Sequence, residues 1–126
     1  MATWSRLETG KASEKRGRRG EMLAAMLLRC KGYRILGRRV RNRAGEIDLV
    51  AQNLWGIICF VEVKARPETV MAAEAVGMRQ RARIVRAAEL FLAGRPGSKG
   101  IRFDVITVTP GHWPRHLRGA WRPDGL

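Results

Sequence analysis

The sequence predicts a single domain of the α/β class, and three observations indicate it. The chain has 126 residues, a common size for one domain, and 45% of them are hydrophobic, which is enough for a core. Two β-branched runs, 45–52 and 57–66, flank a short break and predict a β-hairpin. Two stretches with helical spacing of apolar residues, 21–31 and 76–93, predict amphipathic helices before and after this hairpin.

The ends of the chain differ from its middle in composition. Residues 1–17 are polar and basic with little periodicity, which predicts a flexible arm that either contacts phosphates or only increases solubility. The α/β domain is expected to span residues 18–110. Residues 111–126 form a basic, aromatic segment, in which Trp113 and Trp121 are expected to anchor the segment to the domain.

The first predicted helix, 21–31, ends before Gly32, a residue typical of helix C-termini. Apolar residues occupy two of its faces, so we expect the helix to be buried on both sides. Glu21 lies in its first turn. A carboxylate at that position is explained either by the helix dipole or by a role in an active site.

A run of arginines follows the next predicted strand, 33–36, and leads into turn-forming residues at 42–45. The run predicts either a phosphate-binding edge or an ordinary solvated strand edge. Its members are Arg38, Arg39, Arg41 and Arg43.

The second predicted helix, 76–93, follows a loop at 67–73 and precedes a strand at 101–108. Its core face is expected to hold Ile84, Val85, Ala88, Phe91 and Leu92. Its opposite face, which is either solvated or in contact with nucleic acid, holds Arg79, Arg83 and Arg86. Gln80 lies near the N-terminal end of the core-facing side, where it can reach into a cleft.

The charge of the chain points to a polyanionic partner. The formal net charge is +14, from 25 Lys+Arg and 11 Asp+Glu, and most of the basic residues are Arg. Because arginine binds phosphate bidentately, nucleic acid is the first expectation and an anionic membrane the second. A basic bias of a GC-rich coding sequence would explain part of the excess. An acidic protein partner is a third interpretation.

The cysteines and the apolar runs predict a cytoplasmic protein with no membrane partner. Cys30 and Cys59 lie in apolar stretches and form no C-x-x-C pair, so we expect buried, reduced thiols and neither a zinc site nor a disulfide. The N-terminus lacks the apolar core of a signal peptide, and no run approaches the length needed to cross a bilayer.

The hairpin carries two carboxylates and a lysine at positions that converge. Side chains alternate faces along a strand, and antiparallel pairing around Trp55 sets Asp48 roughly opposite Glu62, with Lys64 on the face of Glu62. Like charges paired across a ladder are destabilising unless something positive lies between them. A divalent metal ion, Mg²⁺ or Mn²⁺, is the simplest such group.

This arrangement suits phosphodiester hydrolysis. Hard Mg²⁺ prefers one or two carboxylates together with waters and substrate oxygens. Asp48 and Glu62 would supply the carboxylates, and the backbone carbonyl of Val63 would complete the inner shell. Lys64 would orient the attacking water or stabilise charge on the phosphate. The alternative is a structural ion pair, because a Glu-x-Lys pattern is common by chance.

Five segments resemble, in order, the motifs of the YraN-type family, and together they run from about Gly20 to Val108. This family comprises small bacterial proteins related to the PD-(D/E)XK nuclease superfamily and similar to archaeal Holliday-junction resolvases. The segments are Gly20-Glu21, Gly32-Tyr33-Arg34-Ile35-Leu36, 45–51, 60–66 and Arg102-Phe103-Asp104-Val105-Ile106.

The resemblance implies a restriction-endonuclease-like three-layer fold, with a central mixed β-sheet flanked by helices. It also implies a metal-dependent endonuclease acting on DNA, including branched DNA. Asp48, Glu62 and Lys64 would form the nuclease triad, with Glu21 as a helix-borne acid. Gln80 stands where many members of the family carry Lys, which weakens one catalytic contact and leaves the metal site in place.

We expect nucleic acid, with DNA first, to bind along arginines around this site. These are Arg18, Arg19, Arg38, Arg39, Arg41, Arg43, Arg66, Arg79 and Arg83. Similarity to junction resolvases also implies a homodimer, because a four-way junction presents two symmetric scissile strands. The alternative is a non-catalytic DNA- or RNA-binding module that retains the nuclease fold.

Overall fold

A computed structural model of the protein describes residues 18–65 and 78–123. Residues 18–30 form helix α1. The later elements are β1 (Arg34–Asn42), β2 (Gly45–Gln52), β3 (Ile58–Ala65), α2 (Met78–Ala93), β4 (Ile101–Val108) and β5 (Arg115–Trp121). The predicted arm at 1–17, the predicted loop at 67–73 and Arg66 lie outside the described residues. Neither described helix combines the length and the apolar character needed to cross a membrane.

The five strands form one mixed sheet in the order β1-β2-β3-β4-β5. Only β3 and β4 pair in parallel, and the other neighbours pair antiparallel. Parallel neighbours cannot be joined by a tight turn, and the connection from β3 to β4 contains α2. The predicted mixed sheet is thus confirmed.

Each face of the sheet carries its own helix and its own core. On one face α1 buries Ala24, Ala25 and Leu28 against β2, β3 and β4. On the other face α2 buries Ile84, Ala87 and Ala88 in a core that includes Phe60 and Phe103. The α/β class and the three-layer arrangement predicted from the sequence are therefore confirmed.

The α1 helix is buried on one face only, contrary to the sequence-based expectation. Met22, Leu23 and Met26 are exposed, and so is Cys30, while Cys59 is buried as expected. The reason is geometric, because the sheet contacts one side of the helix and no other described element covers the opposite side. Both cysteines are free thiols, as predicted.

The first strand is longer than predicted and includes most of the arginine run. It pairs with β2 along nearly its whole length, from Arg34 opposite Gln52 to Asn42 opposite Gly45. Strand formation here follows from backbone pairing with a hydrophobic neighbour, which a basic side-chain pattern does not reveal.

The C-terminal segment contributes an edge strand that the sequence did not predict. Strand β5 pairs antiparallel with β4, and Trp121 lies opposite Phe103. The Trp121 ring is 7% exposed and stacks on Phe103 with 4.4 Å between ring centroids, so its predicted anchoring role is confirmed. Trp113 is 90% exposed, and the same prediction for it was wrong.

A buried carboxylate joins β5 to the rest of the sheet. Asp104 is fully buried and accepts two hydrogen bonds from Arg102, at 2.8 and 2.7 Å, and one from the Gly119 amide at 2.9 Å. His116 Nε2 lies 2.8 Å from the same carboxylate, and its Nδ1 lies 2.9 Å from the Lys31 ammonium. Because an ammonium only donates, Nδ1 is the acceptor and Nε2–H donates to Asp104.

Candidate active site

The hairpin between β2 and β3 has the turn that the sequence predicted around Trp55. Asn53 Oδ1 accepts hydrogen bonds from the amides of Trp55 and Ile57, at 3.0 and 2.9 Å. Gly56 has a φ of +85°, a conformation that favours glycine. These contacts fix the register of the two strands.

The register brings the predicted carboxylates to adjacent places in the sheet. Leu49 pairs with Val61, so Asp48 and Glu62 occupy the next positions toward the open end of the hairpin. Asp48 Oδ2 accepts a hydrogen bond of 2.8 Å from the backbone amide of Val63. The Asp48 side chain is therefore held against the backbone immediately after Glu62.

Glu62 is contacted by two of the other predicted catalytic side chains, Gln80 and Lys64. It is 6% exposed, and its Oε2 accepts a hydrogen bond of 2.9 Å from Gln80 Nε2. The Lys64 ammonium lies 3.7 Å from the same oxygen and donates to Gln80 Oε1 at 3.5 Å. Gln80, at the start of α2, thus bridges Glu62 and Lys64, and it lies on the side of the helix that faces the sheet, as predicted.

The two carboxyl groups carry more negative charge than their partners neutralise. Burial raises the pKa of Asp48 to about 6, and the charges of Glu21 and Glu46 add to this effect against the Val63 amide and Lys64. Burial also raises the pKa of Glu62 to about 7, and repulsion from Asp48 adds to this effect against the charge and the hydrogen bond of Lys64. Such paired, raised carboxyls are typical of functional sites.

Glu21 reaches the same region from the opposite helix. A Cβ atom on Gly20 would lie 3.5 Å from Val63 Cγ1, so the beginning of α1 approaches the end of β3 closely. The Glu21 side chain is 13% exposed and its Oε2 lies 2.7 Å from Arg39 Nε. The structure therefore brings Glu21 near Asp48 and pairs it with Arg39, a partner that the sequence did not identify.

A basic groove of about 500 Å³ lies beside Glu21. It is lined by Arg18, Arg19, Glu21, Met22, Arg38 and Arg39. Arg41, Arg43, Arg79 and Arg83, which were also predicted to contact nucleic acid, do not line this groove. Arg41 pairs with Glu46 at 3.2 Å, whereas Arg43, Arg79 and Arg83 are exposed.

The donor set at the hairpin fits a hard divalent cation. Two buried carboxylates adjoin the Val63 backbone, and burial is the main cause of their raised pKa values, so a cation bound there would favour their ionised forms. Within residues 18–65 and 78–123, no group of three or more His, Cys, Asp or Glu side chains is arranged to hold a metal ion. Two protein carboxylates suit Mg²⁺, which keeps several waters and takes substrate oxygens.

Two features of the site region lay beyond the sequence analysis. The pairing of Glu21 with Arg39 joins α1 to β1 across 18 residues, and no local spacing indicates it. His116 belongs to the Asp104 network, and only the position of β5 reveals that contact.

The comparisons with known proteins identify the same family. Residues 20–108 match the uncharacterised protein family UPF0102. A UPF0102 protein of Parvibaculum lavamentivorans is 49% identical over 117 residues, which cover 91% of this chain and 87% of that protein. One from Maricaulis maris is 47% identical over 88% of each chain. Another, from Caulobacter vibrioides, is 46% identical over 96% of this chain and 98% of its own length.

Proposed function

The chain belongs to the uncharacterised protein family UPF0102, and we propose that it is a divalent-metal-dependent endonuclease that hydrolyses DNA phosphodiesters. The observation that carries this proposal is the contact set of Asp48, Glu62, Lys64 and Gln80 at the end of the hairpin. We place the activity in the cytoplasm and take DNA, linear or branched, as the substrate.

Asp48 and Glu62 are the proposed ligands of Mg²⁺ or Mn²⁺, with the Val63 carbonyl and waters completing the shell. The bound ion would supply Lewis-acid stabilisation of the phosphate and lower the pKa of water. The 2.8 Å bond from the Val63 amide holds Asp48 in place for this role. The buried setting of Glu62 strengthens its attraction to any cation that approaches.

Lys64 is the proposed group that acts on the phosphate or on the attacking water. Its ammonium is 3.7 Å from Glu62 and within 3.5 Å of Gln80, so two partners restrict where its charge lies. A fixed cation at the reacting centre stabilises developing negative charge without reorganisation. Gln80 orients both Glu62 and Lys64 through opposite ends of one amide.

The arginine groove beside Glu21 is the proposed binding surface for the DNA backbone. Four arginines and one glutamate line it, and arginine matches the geometry of phosphate oxygens. Contacts of this kind position a duplex without reading its sequence. We therefore expect binding with little sequence preference. A dimer would present two such sites to a substrate with two scissile strands.

A second candidate is a non-catalytic nucleic-acid-binding module with the same fold. The observation that favours it is the hydrogen bonding of both carboxyl groups within the protein, Asp48 to the Val63 amide and Glu62 to Gln80. A side chain with a protein partner is stable without a cation. In this case replacing Asp48 would leave DNA affinity unchanged or raise it.

A cleavage screen separates the two candidates. Wild type, Asp48→Asn and Glu62→Gln are incubated with linear, flapped and four-way DNA in Mg²⁺, in Mn²⁺ and in chelator, while DNA binding is measured in parallel. We expect cleavage only with metal, and a loss on the order of 100-fold in either variant. Glu89→Gln, which changes an exposed acid on α2, is the matched control and should cleave as wild type does.

The possible outcomes are distinct. If the wild type binds DNA and cleaves none of the three structures with either metal, the endonuclease proposal fails and the binding module remains. If the wild type neither cleaves nor binds DNA, the endonuclease proposal fails, and a measurement of RNA binding decides the second candidate.

A further inference from the structure

We propose that Arg39 is a phosphate-responsive positioning residue, which holds the Glu21 carboxylate in the substrate-free protein and releases it when a DNA phosphate binds Arg39. This inference rests on the proposed function and adds to it a coupling between the substrate groove and the acidic site. Three observations support it: the ion pair between the two side chains, the backbone of Arg39, and the charges of the groove.

The ion pair joins two parts of the molecule with different roles. Arg39 Nε lies 2.7 Å from Glu21 Oε2, and the two side chains are 38% and 13% exposed. Glu21 is therefore sheltered, while part of the Arg39 side chain remains open to the groove that both residues line. A guanidinium carries five N–H groups, so one contact to Glu21 leaves others for an incoming anion.

The backbone of Arg39 is held in an unfavourable conformation. Its φ is +49°, and within residues 18–65 and 78–123 it is the only non-glycine residue with positive φ. The register of β1 against β2 shifts just before it, between Ile35 and Gly37, and a Cβ on Gly37 would lie 2.6 Å from Val40 Cγ2. Backbone strain of this kind persists only where the surrounding structure enforces it, and strained residues cluster at functional sites.

The groove makes an exchange of partners favourable. Arg18, Arg19 and Arg38 line it together with the Arg39–Glu21 pair, so three further cations attract a phosphate to this place. A phosphate that binds Arg39 competes directly with Glu21 for the same guanidinium. The other arginines contribute to phosphate binding and have no ion pair with Glu21 among the described contacts.

Release of Glu21 changes the acidic site. Glu21 already acts electrostatically on Asp48. When Arg39 turns to a phosphate, the negative charge of Glu21 is no longer neutralised, and the attraction of the site for a cation increases. Phosphate in the groove and a cation at Asp48 and Glu62 then favour each other, and the coupling is reciprocal.

A double-mutant cycle on metal-free DNA binding tests the inference without any cleavage. Dissociation constants are measured in chelator and 0.15 M salt for wild type, Glu21→Gln, Arg39→Gly and the double variant. A neutral Gln cannot hold the Arg39 guanidinium as the Glu21 carboxylate does. We therefore expect Glu21→Gln to tighten DNA binding about fivefold when Arg39 is present, and less than about twofold when it is combined with Arg39→Gly. Glycine accepts positive φ, and Arg39→Asn serves as a second variant with the same tolerance.

Arg38→Ala is the matched control, because Arg38 lines the same groove. The gain from Glu21→Gln should persist beside Arg38→Ala, which removes one groove arginine and leaves the pair intact. An equal gain in every background would show general charge repulsion and overturn the proposal. Weaker binding by Glu21→Gln would show that Glu21 only supports Arg39 and would overturn it as well. Absence of DNA binding by the wild type both in chelator and with metal would instead refute the proposed function.

Discussion

At the scale of single residues, the main feature of the site is that the acidic side chain of Glu62 is buried with few polar partners. Glu62 is nearly inaccessible to solvent, yet its partners are one amide and one ammonium at 3.7 Å. Burial of an ionised carboxyl is costly unless it is fully paired. Burial of Glu62 thus lowers the stability of the protein when no cation is bound, as expected for the proposed cation-binding site.

The first prediction concerns Glu62→Gln and the pH dependence of metal-free stability. The pKa of Glu62 rises on folding from its ordinary 4.5 to about 7, so the folded protein resists an ionisation that the unfolded chain undergoes readily. The favourable contribution is complete below pH 4.5 and is lost as pH rises through 7. At pH 8 in chelator, Glu62→Gln should exceed wild type in free energy of unfolding by on the order of 2 kcal/mol.

Urea denaturation between pH 5 and pH 8 measures this difference. Glu46→Gln is the control, because Glu46 is exposed and its ion pair with Arg41 should contribute less than about 1 kcal/mol. If wild type and Glu62→Gln lose stability in parallel as pH rises, Glu62 is not the buried, repelled acid that the structure indicates.

At the scale of elements, β5 shows how one buried carboxylate can attach an edge strand. Asp104 on β4 accepts bonds from Arg102, from His116 and from the Gly119 amide, and the last two belong to β5. The stacking of Trp121 on Phe103 adds an apolar contact on the same pair of strands. The strand is therefore held by a polar network and an aromatic pair together.

The second prediction concerns Asp104→Asn. Burial alone would raise the pKa of Asp104, but the bonds from His116, Arg102 and Gly119 outweigh it and hold the pKa below its ordinary value. The ionised form therefore stabilises the fold above the ordinary pKa of an aspartate, and this contribution is lost as pH falls through the lowered folded value. Removing one partner of a buried charge network should cost about 3–5 kcal/mol at neutral pH.

Denaturation by urea at pH 7 measures that cost, and a series below pH 3.8, the ordinary pKa of an aspartate, follows its decline in acid. Trp113→Ala is a control from the same part of the chain, since its side chain is 90% exposed and should change stability by less than about 0.5 kcal/mol. A small effect of Asp104→Asn at pH 7 would mean that the network does not hold β5.

At the scale of the whole molecule, the positions of the basic residues distinguish a binding surface for polyanions from a general excess of positive charge. The net charge of +14 would attract any polyanion. The arginines of the groove, however, lie beside the acidic site, while others such as Arg95 lie past the far end of α2. Only the arginines that contact phosphates should release counterions upon binding.

The third prediction follows from this distinction. The logarithm of the DNA association constant should fall steeply and linearly with the logarithm of salt concentration, and Arg38→Ala should reduce the slope by about 1. Arg95→Ala, which removes the same charge about 20 Å along the helix from Gln80, should leave the slope unchanged. Equal slopes for both variants would indicate attraction by net charge alone. Fluorescence anisotropy over a salt series provides the measurement.

The sequence predicted the hairpin and both helices because these depend on patterns within short segments, whereas the mixed three-layer sheet was implied by the resemblance to the YraN-type family. The alternation of apolar and charged residues in 45–66 was enough to bring Asp48 near Glu62, and helical spacing was enough to turn Gln80 toward the core. It did not predict β5 or the exposure of Met22 and Met26. Both depend on which surface another element happens to cover.

The sequence by itself determined which side chains with catalytic potential lie together at one end of the hairpin, namely two carboxylates, a lysine and an amide. What only the tertiary structure decided is which distant side chains meet there. The pairing of Glu21 with Arg39 and of Asp104 with His116 links separate elements. Periodicity within a segment fixes the direction of a side chain, but its partner is set by packing between segments, which no local pattern encodes.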